Sequence, residues 1–228
     1  MRRFWEELDT VDVPEQVRLE LFDQASKALQ LHIADILRNS PASAKLGEIV
    51  DTLGPGLAKL DHAVGALLRQ EVANEAADRR RRLVELGAPE AIADRLVRLY
   101  ELNGAVGVAA LGRKLGVDEI VLTNAYTRLG EALGLDWAQT VANRFQAKDQ
   151  WERLLTAGLA RDFEQLRLDF LQRRHGDDPT QAVETWVAAQ GPRVDQFRRL
   201  IDRARNAPVT TSPMLAQIAT QARVLLGR

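Results

Sequence analysis

Residues 149–174 read DQWERLLTAGLARDFEQLRLDFLQRR, and the spacing of the apolar side chains in this stretch decides the fold. Trp151, Leu154, Leu155, Leu159, Phe163, Leu166 and Phe170 recur at intervals of three and four, the period of one helix face and not the alternation of a strand. Asp149 opens the stretch with a side-chain oxygen that can accept from free amides, and Glu152 follows at capping-box spacing. A long helix is expected from Asp149, with Trp151 and Phe163 among its core anchors.

The same period continues on both sides. Downstream, Ala182, Val183, Trp186 and Val187, then Val194, Phe197, Leu200 and Ile201, form a second apolar stripe behind Asp178-Pro179 and Gln181. Gly176-Asp177-Asp178-Pro179 is short enough to fold the two stripes back as an antiparallel helical hairpin. Gly191-Pro192 is expected to kink or divide the second helix, and Ser212-Pro213 to cap a final short one. Upstream, Asp136 with Gln139 reads as another capped start.

Toward the N-terminus, Pro14 begins a helix carrying Leu21, Ala25, Leu29, His32 and Ile36 on one stripe, and Asn39-Ser40-Pro41 stops it. A short segment runs to Leu53, and Gly54-Pro55-Gly56 reads as a turn. Leu57, Leu60, Val64, Leu67 and Leu68 then start a new helix that becomes polar towards Arg79 to Arg82. Gly87-Ala88-Pro89 separates it from the next. The fold class expected is all-α, a multi-helix bundle with an antiparallel helical hairpin in its C-terminal half. It divides into an N-terminal helical segment, 1–86, and a C-terminal bundle, 87–228, or forms one continuous domain.

Composition bounds the function. The chain has 228 residues, enough for one domain or two closely packed ones. A formal net charge of -1 and a pI near 6.3 give no global field for a polyanion, so neither nucleic acid nor an acidic membrane is expected as a partner. Cysteine is absent, which excludes disulfides and thiol catalysis and is compatible with a reducing cytoplasm. Met1-Arg2-Arg3-Phe4-Trp5-Glu6-Glu7 turns acidic at once, and no apolar run reaches membrane length; a cytoplasmic location is expected.

Few groupings suggest chemistry. Gly104, Gly107 and Gly112 lack the spacing and the preceding strand of a dinucleotide-binding turn, and read as helix packing and turns. His32, His62 and His175 share no metal-ligand spacing; His32 reads as a satisfied histidine on an apolar face, the other two as surface residues. Asp177 and Asp178 are explained by capping. Arg79 to Arg82 point around most of a helix that also carries Glu71, with Glu75, Asp78 and Glu85 within pairing distance along it, which makes a solvated face. Of Trp5, Trp137, Trp151 and Trp186, the last two lie on apolar stripes and are expected in the core. Residues 108–119, VAALGRKLGVDE, resemble a helix-turn-helix whose second helix continues through Tyr126 to Leu133. That helix would open on Asp118 and Glu119, an acidic start that suits packing better than contact with DNA. No catalytic, cofactor-binding or metal-binding residue is assigned.

Five stretches carry a family resemblance. Val13-Pro14-Glu15-Gln16-Val17-Arg18-Leu19-Glu20-Leu21 opens a long helix, Gly87-Ala88-Pro89-Glu90 and Gly116-Val117 mark helix boundaries, residues 125–137 read AYTRLGEALGLDW, and Trp151 to Asp162 begin the long helix, with Gly158 and Phe163 departing from the pattern. Together they resemble the C-terminal portion of the large bacterial NAD-specific glutamate dehydrogenases. The resemblance implies a parent polypeptide that oxidises L-glutamate to 2-oxoglutarate and ammonia with NAD. The substrate lysine, catalytic aspartate and nucleotide-binding glycines of that family belong to domains upstream, and no position here matches them. NAD is thus expected in the parent and no cofactor in this chain, with the parent's catalytic domains, and other subunits, as partners. A stand-alone helix-turn-helix DNA-binding regulator and a helical interaction scaffold are the alternative readings.

Overall fold

The computed structural model describes residues 6, 9, 13–67, 70–101 and 104–227. Among them the chain forms eleven helices and no strand: α1 (Glu15–Arg38), α2 (Leu46–Leu67), α3 (Gln70–Glu85), α4 (Glu90–Glu101), α5 (Ala105–Leu115), α6 (Glu119–Leu133), α7 (Leu135–Arg144), α8 (Gln150–Arg174), α9 (Pro179–Ala189), α10 (Gly191–Arg205) and α11 (Ser212–Leu226). They divide into two compact units, residues 1–110 and 111–228. Among the described residues no helix is long and apolar enough to cross a membrane. Trp5 and Leu68, which the sequence reading used, lie outside the described residues.

In the first unit α1 starts behind Pro14 and stops at Asn39, as the proline and the Asn-Ser-Pro stop predict. Leu21 and Ala25 of α1 are buried with Leu83 of α3 and with Ile92, Ala93, Leu96 and Val97 of α4. His32 lies on the same side and its Nε2–H donates to the Leu99 carbonyl at 2.7 Å, so it is the satisfied histidine expected. Gly87, at φ 97°, turns the chain between α3 and α4 and suits the one residue type without a Cβ. That turn lies inside the first unit, between two helices packed on each other.

The expected turn at Gly54-Pro55-Gly56 is not one. α2 runs through it with Pro55 inside the helix. Leu53, Gly56 and Leu60 are buried on one continuous face while Pro55 is exposed, so tertiary burial holds the helix together across a proline that removes one backbone bond.

In the second unit α8 is central. It packs chiefly on α7 and α11, and also on α6 and α9. Leu159, Phe163, Leu166, Phe170 and Leu171 are buried on it. Its N-cap is Asp149, which accepts from the Glu152 amide at 2.8 Å, and Asp178 caps α9 through Thr180 and Gln181 with Pro179 in the first turn. Gly191-Pro192 divides α9 from α10. α9 meets α8 through an edge-to-face contact of Phe170 and Trp186 with centroids 4.8 Å apart, yet packs more extensively on α6. α11 runs beside α8 in the same direction: Ser212 donates to Glu152 at 2.7 Å, Arg223 pairs with Asp162, and Arg173 donates to the Leu226 carbonyl at 2.9 Å.

Three expectations fail here for identifiable reasons. Trp151 is 82 % exposed, with Leu154 at 59 % and Leu155 at 44 %, so the first turns of α8 reach beyond the neighbours that cover the rest of its stripe. Asp136 and Gln139 do not cap α7, which starts directly after Gly134 with no side-chain cap. Ser212 is not the cap of α11 either; Thr211 holds that position, and the Ser212 hydroxyl is engaged by Glu152.

The two ends of the α8 stripe therefore separate in energy. Phe163→Ala is expected to cost about 3–5 kcal/mol by leaving a cavity. Trp151→Ala, which removes a side chain standing mostly in solvent, is expected to stay within about 0.5 kcal/mol of the unsubstituted chain. Urea titration of both variants checks this, and a Trp151→Ala loss matching that of Phe163→Ala would mean that the indole is buried.

Candidate functional site

The densest polar grouping of the second unit surrounds Arg167. This residue falls on the buried face of α8, one turn after Phe163, and is 1 % exposed. A guanidinium in such a place has to find partners in fixed directions, because the charge has left water. Its Nη1 donates to Asp136 Oδ1 at 2.6 Å, Nη2 donates to Gln139 Oε1, and Nε reaches the Phe163 carbonyl at 3.3 Å. The guanidinium carbon lies 3.9 Å from the centre of the Tyr126 ring, close enough for a cation–π contact. Glu164 is buried three residues before Arg167 on α8.

Local geometry explains why these groups can converge. α6 ends at Gly134 in the left-handed conformation, φ 72°, and α7 begins at the next residue, which brings Asp136 back over the last turn of α6. Asp136 comes so near Gly130 that a Cβ there would overlap its carboxylate. A Cβ on Gly134 would stand 2.9 Å from Ile201 Cγ2, so α10 also uses the absence of a side chain.

Burial raises the Tyr126 pKa well above the usual phenol range, with Glu164 and Asp136 adding to the rise and Arg167 opposing it, so the phenol stays protonated at physiological pH. For Arg167 burial works against the charge, and the electronegative groups of Tyr126 and Asp136 more than offset it, raising the pKa. The guanidinium has its donors committed to protein acceptors, while the Tyr126 hydroxyl is enclosed with no hydrogen-bond partner among the described residues. The cluster suits holding three helices in register and offers neither an exposed nucleophile nor a carboxyl poised for proton transfer.

The residues singled out in the sequence are scattered. His62 is exposed and His32 is engaged in the first unit; His175, expected at the surface, is half-buried with its Nδ1 enclosed and unpaired, since it sits at the C-cap of α8 and not out in the loop. Among the described residues no three His, Cys, Asp or Glu side chains gather as a metal site. Gly104 is a turn at φ 83°, and Gly112 lets Val117 approach, since a Cβ there would lie 2.9 Å from the Val117 carbonyl. The helical corner between α5 and α6 is formed by Gly116, φ 67°, and by Asp118 accepting from the Ile120 and Val121 amides. Leu122, Ala125, Leu129 and Leu133 then bury one side of α6.

In the arginine run, Arg81 pairs with Asp78 at 2.6 Å and Glu85 at 3.9 Å along its own helix. Arg80 instead crosses to Asp94 at 2.5 Å and Glu90 at 2.9 Å on α4; the hydrogen bond to Asp94, then that to Glu90, raise its pKa. Arg167 itself was missed in the sequence. The available signal was a charged residue at four residues from Phe163 and seven from Ala160, inside the apolar face.

Comparison with known proteins places the whole arrangement. A family model described as the C-terminal region of glutamate dehydrogenase matches residues 1–223. The NAD-specific glutamate dehydrogenase of Halomonas elongata is 23 % identical over 221 residues, covering 94 % of this chain and 14 % of its own length. That of Pseudomonas aeruginosa is 22 % identical over 209 residues, 90 % of this chain and 13 % of its own. The chain thus spans about one-seventh of the length of these relatives.

Removing Asp136 would leave a buried cation with its charged partner gone. Asp136→Ala is expected to cost about 3–5 kcal/mol. Replacing the cation by an apolar side chain of similar length, Arg167→Met, should cost clearly less, because Asp136 is 24 % exposed and can return to water. Thermal unfolding of the two variants checks the order; equal losses would mean that the cluster stabilises by packing alone.

Proposed function

This chain belongs to the glutamate dehydrogenase C-terminal family, and from that premise we propose that it is a non-catalytic helical region serving the packing and assembly of an NAD-dependent glutamate dehydrogenase. The parent reaction in this reading takes L-glutamate, NAD and water to 2-oxoglutarate, ammonia and NADH. The rest of the polypeptide supplies the cofactor site, the substrate site and the proton transfers, and this region supplies a stable helical body against which those domains pack.

The observation that carries the reading is the apolar patch at the head of α8. Trp151, Leu154 and Leu155 are exposed on a helix whose remaining turns are well buried. An indole flanked by two leucines in solvent is the composition of an interface anchor, since tryptophan contributes large area at little entropic cost. A capped and tied helix end, with Glu152 held by Ser212 and by the Lys148 amide, presents the patch in a fixed orientation. The buried groups of the second unit support the same reading, because its one dense polar cluster is spent on internal contacts.

The test combines the purified chain with a glutamate dehydrogenase polypeptide of the same organism that ends before this region. Association is expected by sedimentation, weakened about tenfold or more, roughly 1.4 kcal/mol, by Trp151→Ala. The chain alone is expected to form no NADH from glutamate and NAD, and adding it should leave the NAD affinity of the dehydrogenase nearly unchanged. Glutamate-dependent NADH production by the isolated chain, or association indifferent to Trp151→Ala, would overturn the reading.

A further inference from the structure

We propose that the groove between α10 and α11 is a docking site for an acidic amphipathic helix of a partner protein. The groove has a volume of about 350 Å3. Its lining is mixed: Phe197 and Leu225 are buried at the base, Leu200 and Val224, the latter 59 % exposed, offer the open apolar surface, and Gln196, Gln217 and Gln221 stand among them. Its rim carries Arg193 and Arg203. Arg193 donates to the Gln190 side chain and Arg203 to the Arg199 carbonyl, and neither meets a carboxylate among the described residues.

The charge pattern gives the partner its sign. Residues 191–226 contain six arginines and two aspartates, a formal surplus of four positive charges, or three once Arg223 is set against its partner Asp162, in a chain whose formal net charge is -1. On α10 the two aspartates, Asp195 and Asp202, fall nearly opposite the groove-lining Arg193, Phe197 and Leu200 at 100° per residue, and α11 carries no acidic residue. The neighbouring depression between α6 and α9 shows the contrast. Its Arg128 is already paired with Glu131 at 3.5 Å and Glu184 at 3.2 Å, so that cation is neutralised from within.

The shape selects the class of ligand. A small carboxylate would gain little from two solvated arginines in an open groove, since exposed ion pairs are screened. An amphipathic helix adds apolar side chains for the open Val224 and Leu200 surface and sets its carboxylates against the rim. A nucleic acid would ask for exposed aromatic platforms or a row of phosphate contacts, whereas the one aromatic ring in the groove, Phe197, is buried. This surface is separate from the Trp151 patch, and the proposal stands whether or not the chain assembles with a dehydrogenase.

The experiment titrates the full chain into a fluorescein-labelled synthetic helix of about 18 residues, five turns, with leucines at i, i+3, i+4 and i+7 and glutamates on both flanks. Two twins serve as controls, one with lysine for every glutamate and one with serine for every leucine. Saturable binding of the acidic peptide is expected, weakened about tenfold by Arg193→Glu, by Arg203→Glu and by raising salt to roughly 0.5 M. Arg198→Glu, on the same helix but outside the groove, should leave it unchanged. Neither twin should saturate. Because all three arginines are exposed, unchanged melting temperatures are expected and make the comparison one of binding alone. No saturation by the acidic peptide up to about 100 μM chain, equal affinity in the Arg203→Glu variant, or displacement of the peptide by duplex DNA would overturn the proposal.

Discussion

A positive charge inside an apolar helix face constrains the second unit more than any other single feature. Arg167 stands where a leucine would satisfy the period of α8, and its guanidinium is committed to four groups from three helices. The loss of water around it is an unfavourable term that only correctly placed acceptors can offset. Asp136 therefore has to arrive from the first turn of α7, and it can do so only if α6 stops one residue before α7 starts. Gly134 provides that reversal, and Gly130 leaves the space the carboxylate occupies. One buried cation thus explains two glycines, an aspartate, a glutamine and a tyrosine within fourteen residues. Its contribution is better counted in register than in net stability, since an apolar replacement of the whole set could pack as well.

The first unit rests on a different balance. Its described core is a small cluster of aliphatic side chains from α1, α3 and α4, tied at the edge by exposed ion pairs such as Arg80 with Asp94 and Glu90. Pairs of that kind contribute little each, so burial of Leu21, Ile92 and Leu96 carries the unit. The histidine on α1 fits this balance: it is tolerated at the edge of the core because a backbone carbonyl near the end of α4 accepts a hydrogen bond from its ring N–H.

What the sequence discloses and what it withholds follow a physical line. Helix period, the Asp149 and Asp178 caps, the stops at Asn39 and Gly191-Pro192 and the corner at Gly116 are local, decided within a turn or two of chain, and each is present. Pro55 misleads because a proline breaks a helix only when nothing else holds it, and the buried face through Leu53 and Leu60 does. Trp151 misleads because periodicity says which side of a helix is apolar, not how far along the helix its neighbours extend. Asp136 and Gln139 carry the spacing of a cap and serve a partner about thirty residues downstream, a long-range choice invisible to local rules. The stretch of family resemblance over residues 125–137 contains Tyr126 and Asp136 but gives neither a role in a cluster, and Gln139 and Arg167 lie outside it.

Net charge deserves the same distinction between a sum and its distribution. A formal charge of -1 argues against a field over the whole surface, and that argument holds only for charges mixed evenly. Here the last two helices and their link carry a surplus of four, which leaves the remainder of the chain five units negative. Within about a Debye length, roughly 8 Å at physiological salt, an approaching group feels the local surplus and not the sum. The internal pairing of Arg128 and the lack of an acidic partner for Arg193 and Arg203 among the described residues decide where that surplus remains available. A chain that looks neutral in composition can therefore present one face to an acidic surface, and the apolar surface between α10 and α11 makes that face specific for something that is both acidic and greasy.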